Sequence, residues 1–182
     1  RELFVEVQCE ELPATFVRPM LGALRDGVVG LLAGVAHGEV RTWATPRRLA
    51  VAVAGVAEAR PTATRTVTGP PADRAFADGV PTAAGIGFAK GKGVDPSALK
   101  IVDGPKGKVV AVEVTEGGDR TTDLVAAGID GVIRAVSSPK AMEWGSGGVR
   151  WARPIHRVNV VYDAVRVVGL AAGLPIGDET VG

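Results

Sequence analysis

Cysteine and histidine are scarce in this sequence, and their scarcity excludes several kinds of site. Cys9 is the single cysteine of 182 residues, so the chain cannot form an internal disulfide. His37 and His156 are far apart in sequence and do not make a zinc set with one thiol, so we expect no metal site. Because Cys9 ends an apolar run with no histidine near it in sequence, we expect a buried, unreactive thiol and no catalytic residue.

Long hydrophobic runs and an excess of one charge are also missing. No stretch approaches the ~20 uninterrupted apolar residues of a membrane-spanning helix, and the chain starts with Arg1, Glu2 and a strand-like run instead of a signal peptide. We therefore expect no membrane association and a cytoplasmic location. The net charge of +1 is too small for a free-standing nucleic-acid binder, so any RNA contact must come from local basic patches.

Phosphate-binding loops are absent despite 25 glycines. The best Walker-type candidate, which ends at Lys92, has Ile86 where the first glycine must stand. For a dinucleotide fingerprint, Gly85 and Gly87 are followed by Lys90 in the last glycine position. The sequence therefore predicts no nucleotide cofactor bound by this chain.

What is present is the balance of a globular protein, with 46% hydrophobic and 23% charged residues. Alternation predicts strands and a spacing of three to four residues predicts helices. Four prolines in residues 60–81 indicate a long irregular connection, which is the best boundary between two lobes. The predicted strands are 3–7, 40–45, 49–56, 99–102, 109–114, 149–152, 157–162 and 165–170, and the predicted helices are 19–35, 82–92 and 124–136. This order lacks a regular βαβ repeat, so we predict an α+β fold of mixed sheets packed with amphipathic helices.

Basic residues are concentrated in two short segments, which makes them candidates for RNA contact. Guanidinium groups bind phosphates bidentately. The candidates are Arg47 and Arg48 at a strand junction, and Lys140, Arg150, Arg153, His156 and Arg157 in the second segment. Trp144 and Trp151 add aromatic planes, but large aromatic residues mostly pack inside, so we expect them in the core. Glu10 and Glu11 are adjacent, and a helix N-terminus explains them better than a paired-carboxylate active site.

Several motifs occur together in one order along the chain: EELP at 10–13, TPRRLAV at 45–51, GPP at 69–71, AAGIGFAKGKG at 83–93, and a block at 138–163 that contains RPIH at 153–156. In these motifs the chain resembles the N-terminal part of the β subunit of the bacterial two-subunit glycyl-tRNA synthetases. Cys9 stands where that family usually has Thr, Glu143 where it has Arg, and Arg157 where it has Trp.

The resemblance implies that residues 1–182 are an α+β module of a longer β subunit. The whole enzyme would be an ATP-dependent ligase that joins glycine to its tRNA in the α subunit's active site, where ATP and Mg²⁺ would bind. Implied partners are the α subunit, tRNA(Gly) and the remaining β-subunit domains. The resemblance also implies a broad similarity to the editing module of the phenylalanyl-tRNA synthetase β subunit, with no catalytic residue carried over.

Three roles stay open at this point: a tRNA-binding and assembly module, a hydrolytic editing domain that acts on mischarged tRNA, and a structural scaffold for the α subunit. The resemblance also motivates one structural prediction, because EELP and RPIH are both family motifs. Arg153 is expected to form an ion pair with Glu10 or Glu11, and so to join the turn after the first strand to the closing strands.

Overall fold

The computed structural model describes residues 1–105, 107–136, 138–145 and 148–180. Residues 146 and 147 of the 138–163 motif block lie outside this range. The elements, in chain order, are β1 (Leu3–Cys9), α1 (Ala14–Leu31), β2 (Val40–Thr45), β3 (Arg48–Val53), β4 (Ala63–Pro71), α2 (Ala72–Ala75), β5 (Phe76–Ala77), β6 (Val80–Pro81), α3 (Ala83–Gly91), a 3₁₀ turn (Pro96–Ala98), β7 (Lys100–Gly104), β8 (Gly107–Glu116), α4 (Thr121–Ala135), β9 (Met142–Trp144), β10 (Val149–Trp151), β11 (Ile155–Tyr162), β12 (Val165–Arg166), β13 (Leu170–Ala171) and β14 (Leu174–Gly177).

The chain forms two compact units. Residues 1–61 and 119–182 make the first unit, and residues 62–118 make the second. The lobe boundary within 60–81 stays a prediction. Among the helices of the described residues, none is long and apolar enough to cross a membrane.

A seven-stranded mixed sheet organises the first unit. Its strand order is β13-β14-β11-β1-β3-β2, with β12 attached to β11. β1 lies at the centre and pairs antiparallel with β11 and β3, whereas β14 runs parallel to β11. The α+β prediction is confirmed.

Two helices cover one face of this sheet. Leu3, Val5 and Val7 on β1 are fully buried in the same core as Met20 and Leu24 of α1, together with Val125, Ile129 and Ile133 of α4. The two helices approach closely because Gly27 of α1 lacks a side chain, and a Cβ there would lie only 2.6 Å from Cγ1 of Val132. The even-numbered residues of β1 point to the opposite side, which we call the second face.

The second unit has its own small core. Its sheet has the strand order β4-β8-β7, and both pairings are antiparallel. The buried residues are Ala75, Ala89, Leu99, Val110 and Val112. Thr82 caps α3 by accepting a hydrogen bond from the Gly85 N–H at 3.4 Å. The predicted helix at 82–92 and the predicted hairpin of 99–102 with 109–114 are confirmed.

Three sequence predictions of secondary structure were wrong in part. The connection at 60–81 is not irregular, because Ala63–Pro71 form β4, an edge strand whose prolines stand at its end, where the register with β8 shifts between Thr68 and Pro71. The first helix begins at Ala14, five residues before Pro19, which the helix tolerates on its exposed side. Residues 165–170 contribute only the short β12 and the start of β13.

Candidate functional site

Two adjoining pockets, of about 590 and 570 Å³, lie at the Cys9 end of β1. Both are lined by Glu10 and Arg47, so we treat them as one feature and call it the motif groove. All three of the motifs EELP, TPRRLAV and RPIH contribute to its lining, together with the end of β1. The lining residues are Gln8, Cys9, Glu10, Glu11, Leu12, Pro13, Thr45, Arg47, Arg48, Arg153, Pro154 and His156.

Main-chain hydrogen bonds hold the three motifs together. The Glu10 N–H donates to the Pro154 carbonyl at 3.0 Å, and the Leu12 N–H donates to the Pro46 carbonyl at 2.7 Å. The turn after β1 is therefore attached both to the β2–β3 turn and to the segment before β11. Side chains that project into the groove start from a backbone that is fixed on both sides.

Arg47 is the exposed cation of the groove. It lies in the β2–β3 turn, and its guanidinium makes no hydrogen bond or ion pair with another residue in the described part of the chain. Its main chain, in contrast, is held, because the Cys9 N–H donates to the Arg47 carbonyl at 3.0 Å. The arrangement presents a positive charge on an anchored backbone.

Arg48, the neighbouring candidate, has a different environment. Its Nε lies 3.0 Å from a carboxylate oxygen of Glu6, whose side chain is only 3% exposed. A buried carboxylate is costly without a cation and hydrogen bonds, so this pair stabilises the sheet. Arg48 is thus a structural partner of Glu6, and its role as an RNA contact stays a prediction.

Glu6 is the centre of a buried polar cluster on the second face. Its carboxylate accepts hydrogen bonds from Gln8 Nε2 at 3.0 Å, Asn159 Nδ2 at 2.8 Å and Thr180 Oγ1 at 3.1 Å. Sequence reasoning missed this cluster. The only signal was the alternation of β1, which puts Glu6 and Gln8 on the face opposite Val5 and Val7.

His156 and Glu10 form the most exposed pair in the groove. His156 Nε2 lies 2.8 Å from Glu10 Oε1, and both side chains are about half exposed. The pKa of the Glu10 carboxyl is lowered, chiefly by this hydrogen bond, with smaller contributions from the charges of His156 and Arg47. His156 is therefore positioned by Glu10, a pairing that the sequence did not predict.

Arg153 connects the turn after β1 to the segment before β11, as predicted, but it does so through main-chain carbonyls and not through a carboxylate. Its Nε donates to the main-chain carbonyl of Glu11 at 3.1 Å, and its Nη1 donates to the carbonyl of Ala152 at 2.9 Å. Among the ion pairs of the described residues, none links Arg153 to Glu10 or Glu11. The predicted ion pair is thus replaced by a hydrogen bond to the main chain of the same turn, and the Glu10 carboxylate bonds to His156 instead.

The remaining basic candidates lie outside the groove as the described residues define it. Lys140 is exposed in the turn before β9, and Arg150 is exposed on β10, in register with Glu143. Arg157 is partly buried on β11 and donates from Nη1 to the Glu179 carbonyl at 2.9 Å. The structure therefore brings together Arg47, Arg48, Arg153 and His156, and leaves the other three candidates elsewhere.

The two tryptophans named in the sequence analysis pack as expected. Trp151 is fully buried and donates from Nε1 to the Ile133 carbonyl at 2.8 Å. Trp144 is partly buried against the same core and donates to the Trp151 carbonyl at 2.9 Å. Both indole groups therefore contribute to the main core.

Cys9 is buried, as predicted. Its side chain belongs to the main core, and the residue is only 3% exposed. Burial raises the pKa of the Cys9 thiol to about 11, with a smaller contribution from the negative charge of Glu10. A thiol in this state is a poor nucleophile at neutral pH.

Comparison with known proteins agrees with the motifs. The chain matches the family described as glycyl-tRNA synthetase beta subunit over residues 3–182. It is 43% identical over 171 residues to the glycine–tRNA ligase beta subunit of Geotalea uraniireducens, an alignment that covers 92% of this chain and 25% of that protein. The corresponding protein of Chromohalobacter salexigens is 37% identical over 182 residues, covering 99% of this chain and 26% of that protein. This chain spans about a quarter of the length of the curated relatives it matches.

Proposed function

Because this chain belongs to the glycyl-tRNA synthetase β subunit family, we propose that it is a tRNA-binding and assembly module of a glycine–tRNA ligase. In this role it supports the ATP-dependent attachment of glycine to tRNA(Gly), a reaction carried out by the α subunit. ATP and Mg²⁺ bind the α subunit in this proposal. The partners are the α subunit, tRNA(Gly) and the remaining β-subunit domains, in the cytoplasm.

The observation that carries the proposal is the Arg47 guanidinium in the motif groove. Its five N–H donors have no acceptor among the described residues, and a phosphate accepts two of them at once. The anchored main chain of the β2–β3 turn reduces the conformational freedom that Arg47 loses on binding. His156 is about half exposed on the same groove, and because its Nε2 bonds to Glu10, its Nδ1 donates to a phosphate oxygen only when the ring carries both protons.

The acidic residues of the groove limit the strength of this binding. Glu10 and Glu11 line the same groove as Arg47, so a phosphate there meets carboxylates as well as a guanidinium. Because few phosphate contacts release few counterions, we expect weak binding of tRNA with a shallow dependence on salt.

The test compares two arginines. The affinity for tRNA is measured by filter binding at several salt concentrations for the wild type, Arg47→Ala and Arg120→Ala. Arg120 is an exposed arginine that precedes α4, whose Thr121 bonds to Glu58 and Ala57, away from the motif groove. Loss of the Arg47 contact should weaken binding and reduce the slope of log K against log salt by about 1. The Arg120 variant should match the wild type.

Equal effects of the two substitutions would contradict the proposal, because they would reflect net charge alone. Unchanged binding in the Arg47 variant would remove the groove from the tRNA interface. Retained tRNA binding with loss of α-subunit capture in a pull-down would assign the groove to assembly.

One observation favours a second candidate, the hydrolytic editing domain. The Glu10 carboxylate orients His156 at 2.8 Å, and an oriented imidazole can act as a general base toward a water molecule. In this alternative, the chain would share the overall plan of the editing module of the phenylalanyl-tRNA synthetase β subunit. The buried, protonated Cys9 thiol leaves water as the nucleophile in this reaction. Hydrolysis of mischarged tRNA by the wild type, and its loss in His156→Ala, would support the editing role.

A further inference from the structure

Trp43 is an exposed aromatic residue that the candidate site does not include. It lies on β2, the edge strand of the large sheet, and it is 49% exposed. Its cross-strand partner is Ala50, which in turn is in register with Glu6 on β1. Trp43 therefore projects from the second face, opposite the helices.

Two small residues lie beside Trp43 on this face. Ala50 and Ala52 of β3 carry only methyl groups and are themselves only 4% and 2% exposed, and Ala52 is in register with Phe4, a partly buried aromatic residue of β1. The accessible part of this patch is therefore the ring of Trp43 and, in part, that of Phe4. We call the patch of Phe4, Trp43, Ala50 and Ala52 the aromatic strip.

Arginines border the aromatic strip. The Arg41 guanidinium carbon lies 5.5 Å from the centroid of the Trp43 ring, within the range of a cation–π contact, and Arg41 also pairs with Glu2 at 2.8 Å. In the pairing register, the side chains of Arg41, Arg48 and Arg157 lie on the second face with those of Glu2 and Glu6. Arg41 is paired with Glu2 and Arg48 with Glu6, so Arg47 at the adjoining turn supplies the positive charge next to the strip.

The aromatic strip continues into the motif groove. Thr45 lies two residues beyond Trp43 on the same face of β2, about 7 Å along the strand, and Thr45 lines the groove beside Arg47. A ligand that contacts Trp43 can therefore reach Arg47 without crossing to another face.

We propose that the aromatic strip binds an unpaired stretch of RNA, one base of which stacks on Trp43 while a neighbouring phosphate contacts Arg47. The inference rests on the proposed function and specifies which part of the RNA is bound. Every base has a π face that can stack on an aromatic ring, but a duplex hides those faces. Sheets that bind RNA stack unpaired bases on aromatic residues in this way.

The experiment separates stacking from phosphate binding. Fluorescence anisotropy measures the binding of a labelled single-stranded RNA and of a blunt RNA hairpin to the wild type, Trp43→Ala, Trp43→Phe and Arg47→Ala. Met142→Ala is the matched control, because Met142 is a similarly exposed apolar residue, 54% accessible, on β9. Melting temperatures verify that each variant is folded.

We expect Trp43→Ala to weaken binding of the single strand by about 5- to 150-fold. This is the change in affinity that corresponds to the free energy of stacking one base on an aromatic ring. Binding of the hairpin should change less than about twofold, and Trp43→Phe should recover most of the affinity because a ring remains. Arg47→Ala should weaken both RNAs, since both carry phosphates. Single-stranded RNA should also quench tryptophan fluorescence in the wild type, and Trp43→Phe should abolish this quenching.

The inference is overturned if Trp43→Ala leaves single-strand binding unchanged, or if it weakens both RNAs equally. In either case an effect of Arg47→Ala on both RNAs would still support the proposed function. Conversely, a selective effect of Trp43→Ala with no effect of Arg47→Ala would support stacking and overturn the phosphate contact in the groove.

Discussion

Adjacent arginines with opposite roles provide a sharp test of the site. Arg47 is exposed in a turn, whereas Arg48, with its side chain 34% exposed, pairs with the buried carboxylate of Glu6. We expect Arg48→Ala to lower the free energy of unfolding and to change RNA affinity only through the fold. Arg47→Ala should instead weaken RNA binding and leave the free energy of unfolding almost unchanged.

The magnitude follows from burial. An exposed ion pair contributes about 0 to 1 kcal/mol, and removal of one partner of a fully buried pair costs about 3 to 5 kcal/mol. Glu6 is buried, but Arg48 is about one-third exposed, and Glu6 keeps the donors Gln8, Asn159 and Thr180. We therefore expect a loss of about 2 to 3 kcal/mol for Arg48→Ala, and a change within about 0.5 kcal/mol for Arg47→Ala.

Urea unfolding followed by tryptophan fluorescence measures this difference. The three tryptophans (Trp43, Trp144 and Trp151) all belong to the first unit, so the signal reports on the unit that contains the Arg48–Glu6 pair. Equal stability of the two variants would refute the assignment of Arg48 as a structural partner. A loss of about 2 kcal/mol in Arg47→Ala would refute the assignment of Arg47 as an exposed binding residue.

Two further predictions concern the core. Gly27→Ala should destabilise the protein by about 1 to 3 kcal/mol in the same urea assay, because its Cβ would meet Val132; Gly22→Ala in the same helix, with open space around it, should stabilise by about 0.5 to 1 kcal/mol. The raised pKa of Cys9 should make native alkylation slow at pH 8. It should also make stability decline as pH rises from about 9, where the unfolded thiol ionises, through about 11, as followed by thermal unfolding.

The fold was predictable where one face of an element is buried. Leu3, Val5 and Val7 alternate because a single side of β1 faces the core, and Ile129 and Ile133 recur at helical spacing because one side of α4 does. β4 was missed because prolines in a segment normally exclude a strand. An edge position removes that exclusion, and edge positions depend on pairing with residues distant in sequence.

The site was predictable as a set of motifs but not as a set of contacts. The three motifs that line the groove are visible in the sequence, whereas the partner of each side chain depends on register. Arg48 is in register with Gln8, which puts it beside Glu6, and the irregularity between Gln8 and Cys9 shifts the pairing where the Glu10 turn begins. Sequence spacing alone does not fix a register between strands whose paired residues are about 40 to 160 positions apart in sequence.

The Glu10 carboxyl offers a final prediction about the groove. Its pKa is lowered, first by the hydrogen bond from His156 and to a smaller extent by the charge of Arg47. A lowered pKa means that Glu10 contributes to stability above its unfolded value of about 4.5 and that the contribution is lost as pH falls through the lower folded value. His156→Ala should therefore raise the Glu10 pKa toward 4.5, and by more than Arg47→Ala does.

Carboxyl NMR titration of Glu10 in the two variants measures these shifts, and the Arg120→Ala variant serves as the control. A larger rise in Arg47→Ala than in His156→Ala would contradict the hydrogen bond as the main cause. The same titration also tests the ligand, because a phosphate group bound at Arg47 adds a negative charge near Glu10 and disfavours its ionisation. Short single-stranded RNA should thus raise the Glu10 pKa in the wild type but not in Arg47→Ala, and an unchanged pKa at saturating RNA would place the phosphate outside the groove.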